Sequence, residues 1–233
     1  MYDPASFPRP AAVFFDWDGT IVDTAEHVFA ANVEAFAEFG IPIARDAFLA
    51  AYTPDWRTMF TAIGVPPPFF DSVATRYVER FAAREAHPLP GAIEAIRALH
   101  RDGIAVGVVS AGPRSIIAPQ LWRFGIAELL SAAVFDGETP RGKPHPDPLV
   151  AAIALSKITG PVVYVGDAHA DVEMAHAAGA LGIGVATGFY GEADFLARGV
   201  AHATAPSFAA ATARFTEGPP RPAVVGQVRL TRL

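Results

Sequence analysis

Apolar residues in this chain gather in short unbroken runs, and nearly every run closes on a polar group. Ala11–Asp16, Ile104–Ser110, Ala132–Asp136 and Pro161–Asp167 share this pattern, three ending in an acid and one in a serine. Runs of this length, bounded by turn residues, predict strands buried on both faces. Ile183–Thr187 is a fifth candidate. Between the runs the period changes. Ala92, Ile96 and Leu99, and again Leu149, Ile153 and Ala154, recur at helical spacing. Strands alternating with helices predict an α/β fold, a parallel sheet covered by helices on both faces.

One block breaks the alternation. From about Thr24 to His87 no strand pattern is found. Val28, Phe29, Asn32, Val33, Phe36 and Phe39 fit one amphipathic helix that Gly40 and Pro42 stop. Helical pieces follow at Ala47–Tyr52, Asp55–Ile63 and Phe69–Ala86, with Pro66-Pro67-Pro68 breaking the last two apart. The expected organisation is therefore a discontinuous core over 10–22 and 88–215 and an all-helical insert over 23–87. Residues 216–233 are expected to form a loose tail, rich in proline and glycine, with Val224–Leu230 as a candidate short strand.

Composition narrows the function. The 233 residues are 52% hydrophobic, enough for a sizeable core. A net charge of −6 offers no broad basic surface and argues against nucleic-acid binding. The chain has no cysteine, so disulfides, thiolate metal sites and cysteine nucleophiles are excluded. Its first residues lack a signal-peptide pattern and no apolar run reaches membrane length, so a cytoplasmic protein without membrane contact is expected. Whether it is a monomer or a homodimer is not legible.

The candidate chemistry lies at the strand ends, because open parallel sheets bind ligands beyond the carboxyl ends of their strands. Asp16 and Asp18 would share a face of an extended segment, and two adjacent carboxylates call for a proton or a cation. Oxygen ligands suit Mg²⁺, and Asp167 can complete the set from another strand. Gly19 lets the backbone turn and present N–H groups to an anion; taken alone, Asp18-Gly19-Thr20 reads as a capped turn. Ser110, Ala111 and Gly112 form either an anion site at a helix start or an ordinary cap. Gly137–Pro144 nearly matches a nucleotide P-loop. Pro144 stands where a hydroxyl would bind Mg²⁺, so a nucleotide cradle is rejected. Lys143 reads as a fixed positive charge or as a solvated lysine, and Asp171 as a ligand or as a helix cap. His169 and His176 lack ligand spacing and read as structural or exposed.

Together these segments resemble the haloacid dehalogenase superfamily, and within it the phosphoglycolate-phosphatase-like members. Asp16-Trp17-Asp18-Gly19-Thr20 matches the first motif, Ser110 the second and Lys143-Pro144-His145-Pro146 the third. Gly166-Asp167 with Asp171 matches the fourth. The resemblance implies a Rossmann-like core with a helical cap, and Mg²⁺-dependent hydrolysis of a small phosphorylated metabolite of phosphoglycolate or sugar-phosphate type. It implies Asp16 as nucleophile, forming an aspartyl-phosphate, and Asp18 as general acid and then base. Metal would be held by Asp16, the carbonyl of Asp18 and Asp167, with Asp171 assisting through water. Ser110 and Lys143 would hold the phosphoryl group.

Two departures stand out: Trp17 replaces the usual aliphatic residue, and Ala168 a frequent serine. Asp23–His27 resembles the sugar-phosphate mutases, so a mutase is the rival, although their catalytic histidine falls where this chain has Val28. A catalytically silent phosphate-binding protein is the third reading. In the insert, Tyr52, Trp56 and Arg57 can reach the site, with Arg57 as an anion clamp or a solvated residue.

Overall fold

The computed structural model describes residues 9–216. The expected tail beyond Thr216, with its candidate strand, lies outside the described residues.

After strand β1 (Ala12–Phe15) the chain enters the insert as four helices: α1 (Ala25–Glu38), α2 (Arg45–Ala51), α3 (Trp56–Ile63) and α4 (Phe70–Ala82). They close a core of their own around Phe36, Phe48, Phe60 and Val73. The chain leaves and returns through adjacent segments. Asp23 N–H donates to His87 O at 2.9 Å, and Leu89 N–H to Ile21 O at 2.8 Å. This pairing explains why α4 stops four residues before the expected Ala86. The segment before Pro88 must be extended to pair with Val22, and a residue preceding proline disfavours helix.

The rest alternates as expected: α5 (Ala92–Arg101), β2 (Ala105–Val109), α6 (Arg114–Arg123), β3 (Leu130–Val134), α7 (Asp147–Ser156), β4 (Val162–Gly166), α8 (His169–Ala177), β5 (Leu181–Val185), α9 (Glu192–Arg198), β6 (Ala203–Ala205) and α10 (Phe208–Thr212). The six strands are parallel in the order β3-β2-β1-β4-β5-β6. Strand β6 was not foreseen, because Ala203-Thr204-Ala205 is too short to form an apolar run. Strand β3 begins at Leu130 rather than Ala132; Ser131 hides its hydroxyl by donating to Val106 O at 2.9 Å.

Successive side chains of β1 face opposite ways. Val13 and Phe15 join a core with Ile96 of α5, Leu121 of α6 and Phe208 of α10, while Ala12 and Phe14 meet Leu149 of α7 and Met174 of α8. Gly107 leaves room for the ring of Phe14, which a Cβ there would meet at 2.6 Å. The strand order reverses between β1 and β4, and a crevice opens beyond the carboxyl ends at such a point. Asp16 and Asp167 follow these two neighbouring strands.

Candidate active site

Asp16 is the last residue of the first run still held by the sheet, its N–H donating to Val165 O at 2.9 Å. The chain then winds tightly on Trp17, whose carbonyl accepts from the N–H groups of Thr20, Ile21 and Val22. Gly19 has φ +74°, and a Cβ on it would stand 2.7 Å from the Asp167 Cγ. Its role differs from the expected one. The Gly19 N–H donates to Val22 O at 2.9 Å and Thr24 Oγ1 at 3.2 Å, so it closes the loop and is not presented to an anion. Trp17 turns away from the cavity into the main core, stacks on Phe124 and donates its indole N–H to Gln120 Oε1 at 2.6 Å.

Lys143 joins the acids. Its Nζ donates to Asp16 Oδ1 and to Asp171 Oδ1, each at 2.7 Å, and its side chain is 2% exposed. Burial lowers its proton affinity, but the two carboxylates outweigh that and leave the pKa raised. Asp171 also accepts from Ala168 N at 3.0 Å; the Tyr164 hydroxyl lies 3.3 Å from its Oδ1 and donates its proton to Val109 O at 2.7 Å. It is therefore a cap for α8 and a partner of Lys143 at once. Asp167 Oδ1 accepts from Thr20 Oγ1 at 2.9 Å. Among the described residues no protein group donates to Asp16 Oδ2 or Asp167 Oδ2.

Carboxylate oxygens of Asp16, Asp167 and Asp171 lie within 4.8 Å of one another. Burial raises Asp16 to about 7, with Asp171 and Asp18 adding to the shift against the pull of Lys143. Burial and the neighbouring Asp16 and Asp171 raise Asp167 well above the usual range. One lysine does not balance this much buried negative charge, and two unengaged carboxylate oxygens remain. That donor set fits a hard divalent cation, which Asp16 and Asp167 could hold directly, Asp171 being already engaged by Lys143 and Ala168 N–H.

Asp18 stands apart from this cluster. Its Oδ1 accepts from Thr24 Oγ1 at 2.9 Å, and burial raises its pKa to about 6 against the opposing effects of Thr24 and Lys143. The loop after β2 lies against it: a Cβ on Gly112 would be 3.3 Å from Asp18 Oδ2. Ser110 Oγ accepts from Gly112 N at 3.0 Å, and α6 starts only at Arg114, so the hydroxyl orders this loop rather than capping the helix.

A cavity of about 440 Å³ opens over these groups, lined by Asp16, Asp18, Ser110, Ala111 and Asp167 from the core and by Tyr52, Trp56 and Tyr77 from the insert. Asp136 reaches its rim, exposed. Arg57 does not line it. Its guanidinium lies over the Trp56 ring and pairs with Asp71 at 3.3 Å, 61% exposed, which corrects the expectation of an anion clamp. His169 packs its ring on Tyr190 at 4.2 Å.

A model of the haloacid dehalogenase-like hydrolases matches residues 13–185. The chain belongs to this family. A phosphoglycolate phosphatase of Salmonella paratyphi A is 29% identical over 210 residues, covering 78% of this chain and 83% of that protein. A hydrolase from Pseudomonas syringae has a similar fold, with TM-score 0.79 at 21% identity over 88% of this chain and 98% of that one. A haloacid dehalogenase-like family hydrolase from Streptococcus pneumoniae gives 0.75 at 20% identity over 89% and 99%.

For a haloacid dehalogenase-like hydrolase, the supporting residues matter as much as the motif acids, and several escaped the sequence reading. Thr20 and Thr24, both fully buried, orient Asp167 and Asp18. Thr20 sits inside the first motif, which was its only signal. Tyr164 lies in the middle of β4 and looks like a core aromatic, yet its hydroxyl reaches Asp171. Gly188, after β5, backs Asp167: a Cβ there would overlap the carboxylate, with Cγ at 2.6 Å. Among the described residues no helix is long and apolar enough to cross a membrane.

Proposed function

We propose that the protein is a Mg²⁺-dependent phosphomonoesterase acting on a small phosphorylated metabolite through an aspartyl-phosphate. The observation that carries this reading is the division between two acids on one loop. Asp16 faces Lys143 and the acid cluster, whereas Asp18 stands outside it, bonded to Thr24. Environments that separate neighbouring carboxyl groups assign them different tasks.

A bound Mg²⁺ supplies positive charge that keeps Asp16 ionised and offsets charge on the phosphoryl oxygens. Asp16 attacks phosphorus while the ester P–O bond breaks. Asp18, with a pKa of about 6, gives its proton to the leaving oxygen. The same carboxylate then takes a proton from the water that attacks the acyl phosphate, releasing inorganic phosphate and free Asp16. A group titrating near neutrality suits both transfers. Lys143 spends two N–H donors on Asp16 and Asp171, leaving a third for a phosphoryl oxygen, and the Ser110 hydroxyl also lines the cavity. Residues 23–87 act as a cap over the core, excluding water from the acyl phosphate.

Purified protein with Mg²⁺ should release inorganic phosphate from monoesters without forming isomers, and Asp16→Asn should abolish release. Full activity in that variant, or isomer as the main product, would overturn the reading.

A further inference from the structure

The cavity has two kinds of wall. Beyond the acids, most of the surface left for the alcohol half of a substrate is apolar, with Val28, Met59 and Phe60 from the insert, Ile116 from α6, and the rings of Trp56 and Tyr77. The charged lining residues are Asp16, Asp18, Glu79, Asp136 and Asp167; none of those described is Lys, Arg or His. Lys143 lies beneath the acids and is committed to two of them. The arginines of the neighbouring segments are also engaged outside the cavity, Arg57 with Asp71 and Arg114 with Glu138 at 2.6 Å. Asn32, on the wall, donates its amide N–H to Val28 O at 2.9 Å; its buried Oδ1 has no partner and is an acceptor.

A second anionic group on the substrate would therefore meet carboxylates, hydrocarbon and the neutral hydroxyl and indole groups of Tyr52, Thr53, Trp56, Thr75 and Tyr77, with no cation among the described lining residues to balance its charge. Burying a charge without a partner is costly, whereas apolar surface gains by entering such a wall. We infer that the leaving group is an uncharged, predominantly apolar alcohol of ring size, such as an aryl-bearing or branched alkyl group. The preferred substrate then departs from the carboxylate-bearing ester that names the curated relatives. This inference rests on the phosphatase reading, since it assumes that phosphate sits on the acid and lysine side.

The test pairs two non-hydrolysable probes, benzylphosphonate and phosphonoacetate, titrated calorimetrically into the full chain with Mg²⁺. Turnover of benzyl phosphate and phosphoglycolate is measured alongside. Benzylphosphonate should bind tighter by about 10-fold or more, the discrimination expected of an apolar pocket, and kcat/KM should follow the same order. Thr75→Arg places a cation at an exposed position on the wall and should narrow both gaps. Equal or tighter binding of phosphonoacetate, or failure of both probes to bind, overturns the inference. If benzylphosphonate is preferred but no monoester releases phosphate, the pocket assignment stands and the phosphatase reading falls.

Discussion

Gly188 packs its bare Cα against the carboxylate of Asp167, so closely that a Cβ would come within 2.6 Å of Cγ. The same loop continues into Phe189 and Tyr190, which touch Tyr52 of the insert; the two rings Phe189 and Tyr52 are 4.6 Å apart. Gly188→Ala must displace the Asp167 carboxylate from its present position. Disturbing groups that orient a metal ligand typically costs ~10–100-fold in affinity, so Mg²⁺ binding should weaken by about that factor. Calorimetric titration with Mg²⁺ checks this, and unchanged affinity would remove Gly188 from the site.

Asp18→Asn keeps the shape of the loop and removes the proton. Its kcat should fall by ~10²–10⁴-fold, the usual contribution of general acid–base catalysis, with little change in KM. Rapid quenching should detect phosphoenzyme if the second step slows more than the first. A normal kcat would show that proton transfer runs through another group.

Asp16 and Asp18 have folded-state pKa values of about 7 and about 6, against an ordinary 3.8. Between those limits the metal-free native state holds more protons than the unfolded chain, so these two groups make stability fall as pH rises. Asp16→Asn removes one of them. Without Mg²⁺, the variant should gain in melting temperature relative to the wild type between about pH 5 and pH 8. Thermal melts in a chelator give the difference directly, and the opposite slope would contradict the raised Asp16 pKa.

Lys143→Met leaves Asp16 and Asp171 without their shared cation. Removing one partner of a buried ion pair costs ~3–5 kcal/mol, and the loss should be smaller at pH 5, below the Asp16 pKa of about 7, where that carboxyl already holds a proton, than at pH 8. Urea unfolding at two pH values reads both effects. An equal loss at both would mean that packing, not charge, is what Lys143 contributes.

Trp17→Leu should separate stability from function. Truncating a buried Trp to Ala costs ~3–5 kcal/mol, and Leu should lose part of that while KM stays unchanged. A shifted KM would show that Trp17 also shapes the substrate pocket.

Much of the fold was legible along the chain. Ala12–Phe15 and Val162–Gly166 are unbroken apolar runs because helices cover both faces of the sheet, and that pattern survives without any contact information. Strand β6 was not legible: its place depends on pairing with β5 through Ile183–Ala203, not on its own three residues. In the site, Asp16 and Asp167 could be nominated from the chemistry of their types at strand ends, and Lys143 as a fixed charge in the loop beyond one. The directions of Gly19 N–H and Arg57 could not, since each is set by the partner it meets: Val22 for one, Asp71 and Trp56 for the other.

By itself, then, the sequence determined the alternation of strands and helices, the helical insert and the acids that close the strands. These follow from periodicity and residue chemistry, which are local. The tertiary structure alone decided that Thr20 and Gly188 hold Asp167, that Trp17 belongs to the core, and that the described residues lining the cavity include acids and a largely apolar wall but no lysine, arginine or histidine. Those facts depend on side chains from distant segments arriving at the same crevice, where burial and charge are set by neighbours in space.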